Sequence, residues 1–97
     1  MSPPAPIATL AQRVTRSDEV LFQEVGGEAV LLDLASEQYF GLDPVGMRIW
    51  ALLGEDSRLQ HVHDVLCQEY DAGPECIGDD LLALIDRLAE AGLVKVA

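Results

Sequence analysis

The sequence predicts an α+β fold, a three-stranded antiparallel sheet followed by three short helices. Three observations lead there. Between Val20 and Leu42, three short apolar runs are separated only by turn residues. From Asp43-Pro44 onward, apolar residues recur at helical spacing in three successive segments. The 97-residue length is that of one domain.

Each element has a local cause. Met1 to Gln12 holds three of the five prolines and reads as a disordered tail, leaving 13–97 as a single domain. Val20 to Val25 is the first strand, with imperfect alternation. Gly26-Gly27 predicts a hairpin turn, because both positions take positive φ without steric cost. Ala29 to Leu34 is the second strand, Ala35-Ser36-Glu37 turns the chain, and Gln38 to Leu42 is the third. Asp43 stands at an N-cap position and Pro44 at the first helical one. Val45, Ile49, Leu52 and Leu53, with Trp50, give the first helix its apolar face, and Gly54 stops it. Ser57 and Gln60 have the spacing of a capping box for the second helix, whose stripe is Leu59, Val62, Val65, Leu66 and Tyr70. Pro74 opens the third helix, Ile77, Leu81, Leu84, Ile85 and Leu88 line it, and Gly92 ends it. Leu93-Val94 pins the C-terminus to the core. Three strands and then three tightly connected helices make a winged helix-turn-helix-like arrangement.

Composition narrows the function. Six basic residues face seventeen acidic ones, a net charge of −11, with no basic cluster to neutralise phosphates. Nucleic-acid binding is disfavoured, and an anionic membrane would repel the chain. No apolar run approaches the roughly 20 residues needed to span a bilayer, and the N-terminus lacks the basic start and apolar run of a secretory signal. Two cysteines, Cys67 and Cys76, fit free thiols in a reducing cytoplasm.

Catalytic constellations are lacking. His63 and Cys67 are four apart and share a helix face, but a metal site needs three or four converging ligands, and neither CxxC nor HExxH occurs. Asp79 and Asp80 diverge by about 100° on a helix, so they do not pair across a substrate. Gly26-Gly27 is followed by a strand rather than a helix and so is no phosphate loop. The inventory predicts no enzyme, no metal and no cofactor.

Binding remains. In a meander the third strand is an edge, and an edge strand offers unpaired N–H and C=O groups to a guest chain. The third helix is apolar over more than one face, since Leu81 and Leu82 project about 100° apart, so one flank can lie open beside the sheet. Tyr39, Phe40, Leu81, Leu84 and Leu88 would supply apolar pockets there, and Arg87 and Asp80 a polar rim. Leu84→Asp or Arg87→Glu should then weaken binding and leave the fold intact.

Two segments resemble a known family. "VLLDLASEQYFGLDPVGMRIWALL" and, downstream, "EYDAGPECIGDDLLALIDRLAEAGLV" are similar to the two characteristic stretches of the PqqD-like family, in order and at its spacing, over about Glu19 to Val94. Asp43 stands where many members have asparagine, and Arg58 where a small hydroxyl is common, with Ser57 able to take over that cap. The resemblance implies a RiPP recognition element. Such a module is a non-catalytic peptide chaperone that binds the leader segment of a ribosomally made precursor peptide. It presents that leader to a modifying enzyme, such as a radical SAM enzyme or a leader peptidase. It also implies that the leader adds as a strand along Gln38, Tyr39, Phe40, Gly41 and Leu42, with Asp80, Leu81, Leu84, Arg87 and Leu88 as the opposite wall. Two other readings compete with it. One is a winged-helix DNA-binding regulator, for which the third helix offers Arg87 alone among five acids. The other is a docking subunit that binds only an enzyme. An open edge also permits a homodimer.

Overall fold

The computed structural model describes residues 10–96. Met1 to Thr9 of the expected tail and Ala97 lie outside the described residues. The element order is β1 (Val14–Arg16), β2 (Val20–Val25), β3 (Glu28–Asp33), β4 (Gln38–Leu42), α1 (Pro44–Glu55), α2 (Leu59–Glu69), α3 (Pro74–Glu90) and β5 (Val94–Val96). The expected sheet is β2-β3-β4, antiparallel, and β4 is an edge. Gly26 and Gly27 have φ of 61° and 84°, so the tight turn uses the conformation that glycine allows.

Register decides which side chains meet the helices. Phe22, Leu31 and Phe40 are aligned across the three strands, and Ala29 is paired with Leu42. Leu31, Ala29 and Leu42 are buried, so this face packs on the helices. The alternate row, Leu21, Leu32 and Tyr39, therefore faces outward. The core joins the inner face to Ile49, Leu52 and Leu53 of α1, Leu59, Val62 and Leu66 of α2, and Leu81, Ile85 and Leu88 of α3.

Two short strands were not anticipated. β1 pairs antiparallel with β5, Val14 opposite Val96 and Arg16 opposite Val94, and both Val14 and Val94 are buried. This two-stranded sheet ties the ends of the domain together. Leu10, within the expected tail, packs against the core, and the Gln12 carbonyl accepts the Leu59 N–H at 3.2 Å.

That last bond replaces the expected capping box of α2. Arg58 is the N-cap and makes no side-chain cap bond, while Gln60 Nε2 donates to Asp64 at 3.0 Å. With Arg58 as the N-cap, Ser57 and Gln60 no longer hold the N-cap and N3 positions that the box requires, and the Ser57 carbonyl instead accepts from the Val14 N–H at 2.7 Å. Gly54 does not stop α1, which runs on to Glu55. A Cβ there would sit 2.5 Å from the Arg16 guanidinium, which lies 5.3 Å from the Trp50 ring centroid. Gly54 thus leaves room for Arg16 to lie over the indole.

The remaining helix ends follow the sequence. The Asp43 carboxylate accepts the Gly46 N–H at 2.7 Å, with Pro44 in the first turn. Gly92, with φ of 78°, closes α3, and the Leu93 N–H reaches the Leu88 carbonyl at 2.9 Å. His63 Nε2 donates to the Pro74 carbonyl at 2.9 Å and so joins α2 to the start of α3. Tyr70 caps α2 from outside and is exposed rather than part of its buried stripe.

Candidate functional site

β4 hydrogen-bonds to β3 on one side, and among the described residues no strand pairs with its other side. Beside that open edge lies a cleft of about 460 Å³. Gly41 and Leu42 of β4 form one wall, and Asp80, Ala83, Leu84 and Arg87 of α3 form the other. Asp43, Val45, Gly46 and Ile49, from the corner and first turns of α1, close the floor. A smaller cleft of about 110 Å³ shares Val45, Ile49 and Asp80 and continues to Leu66, Tyr70, Ile77 and Leu81.

The corner between β4 and α1 sets this geometry. Asp43 caps α1, so the chain turns sharply from the edge strand into the helix. A Cβ at Gly46 would lie 3.2 Å from both Asp43 Oδ1 and Leu42 Cδ2, so only a residue without one fits the corner without displacement. Val45 is left exposed at the cleft, although its spacing suggested the core.

The residues singled out in the sequence separate into groups. Gly41, Leu42, Asp80, Leu84 and Arg87 come together around the larger cleft. Gln38 and Tyr39 are exposed on the edge strand, with Tyr39 75% exposed and turned to the outer face of the sheet. Phe40 is half-buried against the core. Leu81 borders the smaller cleft. Leu88 is 0% exposed and borders neither, because its position on α3 points it into the centre of the helical layer. Leu84 is 7% exposed, so Leu84→Asp would place a carboxylate in the core and compromise the fold, contrary to the expectation above. Arg87 is exposed and suits such a test.

Asp43, Val45, Gly46, Ile49 and Ala83 were missed as cleft residues. A small residue, Ala83, amid the leucines of α3 and an exposed valine on α1 were the signals available.

The lining sets the chemistry of the larger cleft. It combines strand backbone, apolar surface, one guanidinium and two carboxylates. Among the described residues no group of three histidine, cysteine or acidic side chains could hold a metal ion. Cys67 and Cys76 are free thiols. Among the described residues no helix is long and apolar enough to cross a membrane.

Comparison with known proteins bears on the same elements. No curated protein matches the chain. A solved structure, TbiB1 in complex with the TbiA(beta) leader peptide, is similar at 38% identity and a TM-score of 0.77, covering 84% of this chain and 94% of that one. The family model for coenzyme PQQ synthesis protein D (PqqD) matches residues 28–94, a span that includes β3, β4, all three helices and both clefts. The chain belongs to the PqqD family.

Proposed function

We propose that this chain is a RiPP recognition element that binds the leader segment of a precursor peptide by strand addition to β4. The observation that carries the reading is the open β4 edge lying directly beside a cleft walled by α3. A guest backbone can satisfy the unpaired groups of Gln38–Leu42, while its side chains enter the apolar cleft and specify the sequence. The similarity to TbiB1, solved with a leader peptide, supports this reading.

The chain performs no chemistry of its own on this reading. It holds the leader extended and presents the precursor to a modifying enzyme, such as a radical SAM enzyme or a leader peptidase, in the cytoplasm. One strand and a few apolar contacts supply about 8 kcal/mol, a micromolar complex.

Calorimetric titration with a synthetic leader, taken from whichever short precursor reading frame is found beside this chain's gene, tests it. Ala83→Trp adds bulk on the exposed wall of the cleft and should lower affinity at least about tenfold. Unchanged affinity in that variant would place the peptide elsewhere.

A further inference from the structure

The outer face of the sheet has no cover among the described residues. Register aligns Leu21, Leu32 and Tyr39 in one row across β2, β3 and β4, and Gln23, Val30 and Gly41 in the next. Leu21 is 53% exposed and Val25, on the same face of β2, 68%, while Leu32 and Val30 are half-buried. A helix packs on the other face, so nothing in the fold requires these positions to be apolar; a one-sided antiparallel sheet normally turns polar residues to water. A contiguous exposed apolar patch marks an interaction surface.

Charge says what kind. From Val20 to Leu42 the sheet and its turns carry Glu24, Glu28, Asp33 and Glu37, and no lysine, arginine or histidine. Register puts Glu28 on the outer face with Val30 and Leu32, and Glu37 stands in the turn at its end, while Glu24 and Asp33 share the parity of the helix-facing Ala29 and Leu31. The patch is apolar at its centre, has acids at its ends and has no base among the residues of the sheet. A second copy of this chain is a poor occupant, because a two-fold contact through this face would set one acidic border against another. Anionic lipid is repelled for the same reason.

We propose that this outer face docks a protein partner whose contact surface is apolar at its centre and ringed by lysine and arginine. Resting on the function proposed above, that partner is the peptide-modifying enzyme. The face borders the β4 edge through Tyr39 and Gly41, so an enzyme seated there meets a leader strand added at the same edge. Leader and enzyme would then occupy the edge and the face of one extended sheet.

The experiment uses the whole chain, the synthetic leader and whichever radical SAM enzyme or leader peptidase is found encoded beside its gene, purified. Interferometry measures the enzyme against wild type, Leu21→Ser/Leu32→Ser and Glu28→Lys/Glu37→Lys, at about 50 and 300 mM salt. Calorimetry measures the leader against the same proteins. Both variants should lose at least about tenfold in enzyme affinity and hold leader affinity within about twofold. Wild-type binding should weaken with salt. Should the apolar variant fail to fold, the charge-reversed one, altered only at exposed positions, still decides the matter. Enzyme binding that is unchanged in the variants, or absent in wild type, overturns this assignment while leader binding stands. Loss of leader binding by wild type overturns the underlying reading instead. A wild-type dimer in sedimentation that Leu21→Ser/Leu32→Ser dissolves would give the face to a second copy and also overturn it.

Discussion

The Asp43 carboxylate accepts the Gly46 N–H at 2.7 Å, and this bond fixes the corner where the edge strand becomes the first helix. Both residues line the larger cleft, so a local helix cap also shapes that cleft. Asp43→Ala should lower stability by about 1 kcal/mol in urea denaturation, and Asp43→Asn, which keeps the acceptor, should lower it less. Leader affinity should fall with the alanine and be largely retained with the asparagine.

Cleft and core substitutions should separate stability from binding. Leu88→Ala removes a wholly buried side chain and should cost about 2–5 kcal/mol. In the surviving folded protein, leader affinity should stay within about twofold of wild type. Ala83→Trp should do the reverse, with a wild-type melting curve and lost affinity. Calorimetry and thermal denaturation on both variants check the pair. A strong binding defect in folded Leu88→Ala would return Leu88 to the cleft.

Acid should weaken two exposed links. The Arg48 side-chain hydrogen bond holds the Glu69 carboxyl below its ordinary value of 4.5, and Arg58 holds Asp56 well below 3.8 by side-chain and backbone hydrogen bonds. Each carboxyl binds its proton less readily folded than unfolded. Their stabilisation is therefore complete above those ordinary values and is lost as pH falls through the lowered ones. Both pairs are solvent-exposed and screened, so the effect is small and salt-sensitive. Arg48 spans α1 to the end of α2, bonding Glu69 through Nε at 2.8 Å and Nη2 at 2.6 Å. The stability gap between wild type and Arg48→Met should be largest near neutral pH and close on acidification below about 4.5. Urea midpoints across pH would show it.

The N-terminal segment should prove structural. Val14 is fully buried, β1 pairs with β5, and the Gln12 carbonyl accepts the first amide of α2. Deleting residues 1–16 should therefore abolish cooperative unfolding or sharply lower the midpoint. Calorimetric scans of the truncated and full-length proteins would show it.

The elements closed by local chemistry were legible in the sequence. Gly26-Gly27, Asp43-Pro44, Pro74 and Gly92 each act within a few residues, and each stands where it was expected. The β1–β5 pair was not legible. Three residues carry no readable period, and the partners are some eighty positions apart, so only the assembled core brings them together. The expected capping box at Ser57 is absent as well: α2 takes Arg58 as its N-cap, and the Gln12 carbonyl, a tertiary partner, accepts its first amide. In the cleft, the edge strand and one α3 wall could be read from order and apolar pattern. The floor could not, because Val45 and Ile49 look alike in periodicity and only the angle of α1 exposes one of them.

Strand addition at β4 is tested most directly by backbone NMR on the complex with the synthetic leader. Inter-chain contacts between peptide α-protons and Gln38–Leu42, with slowed exchange at those β4 amides that point away from β3, are the result this account predicts. A bound peptide that leaves the β4 amides exchanging as in the free protein, and instead protects β2 or the outer face, would contradict it.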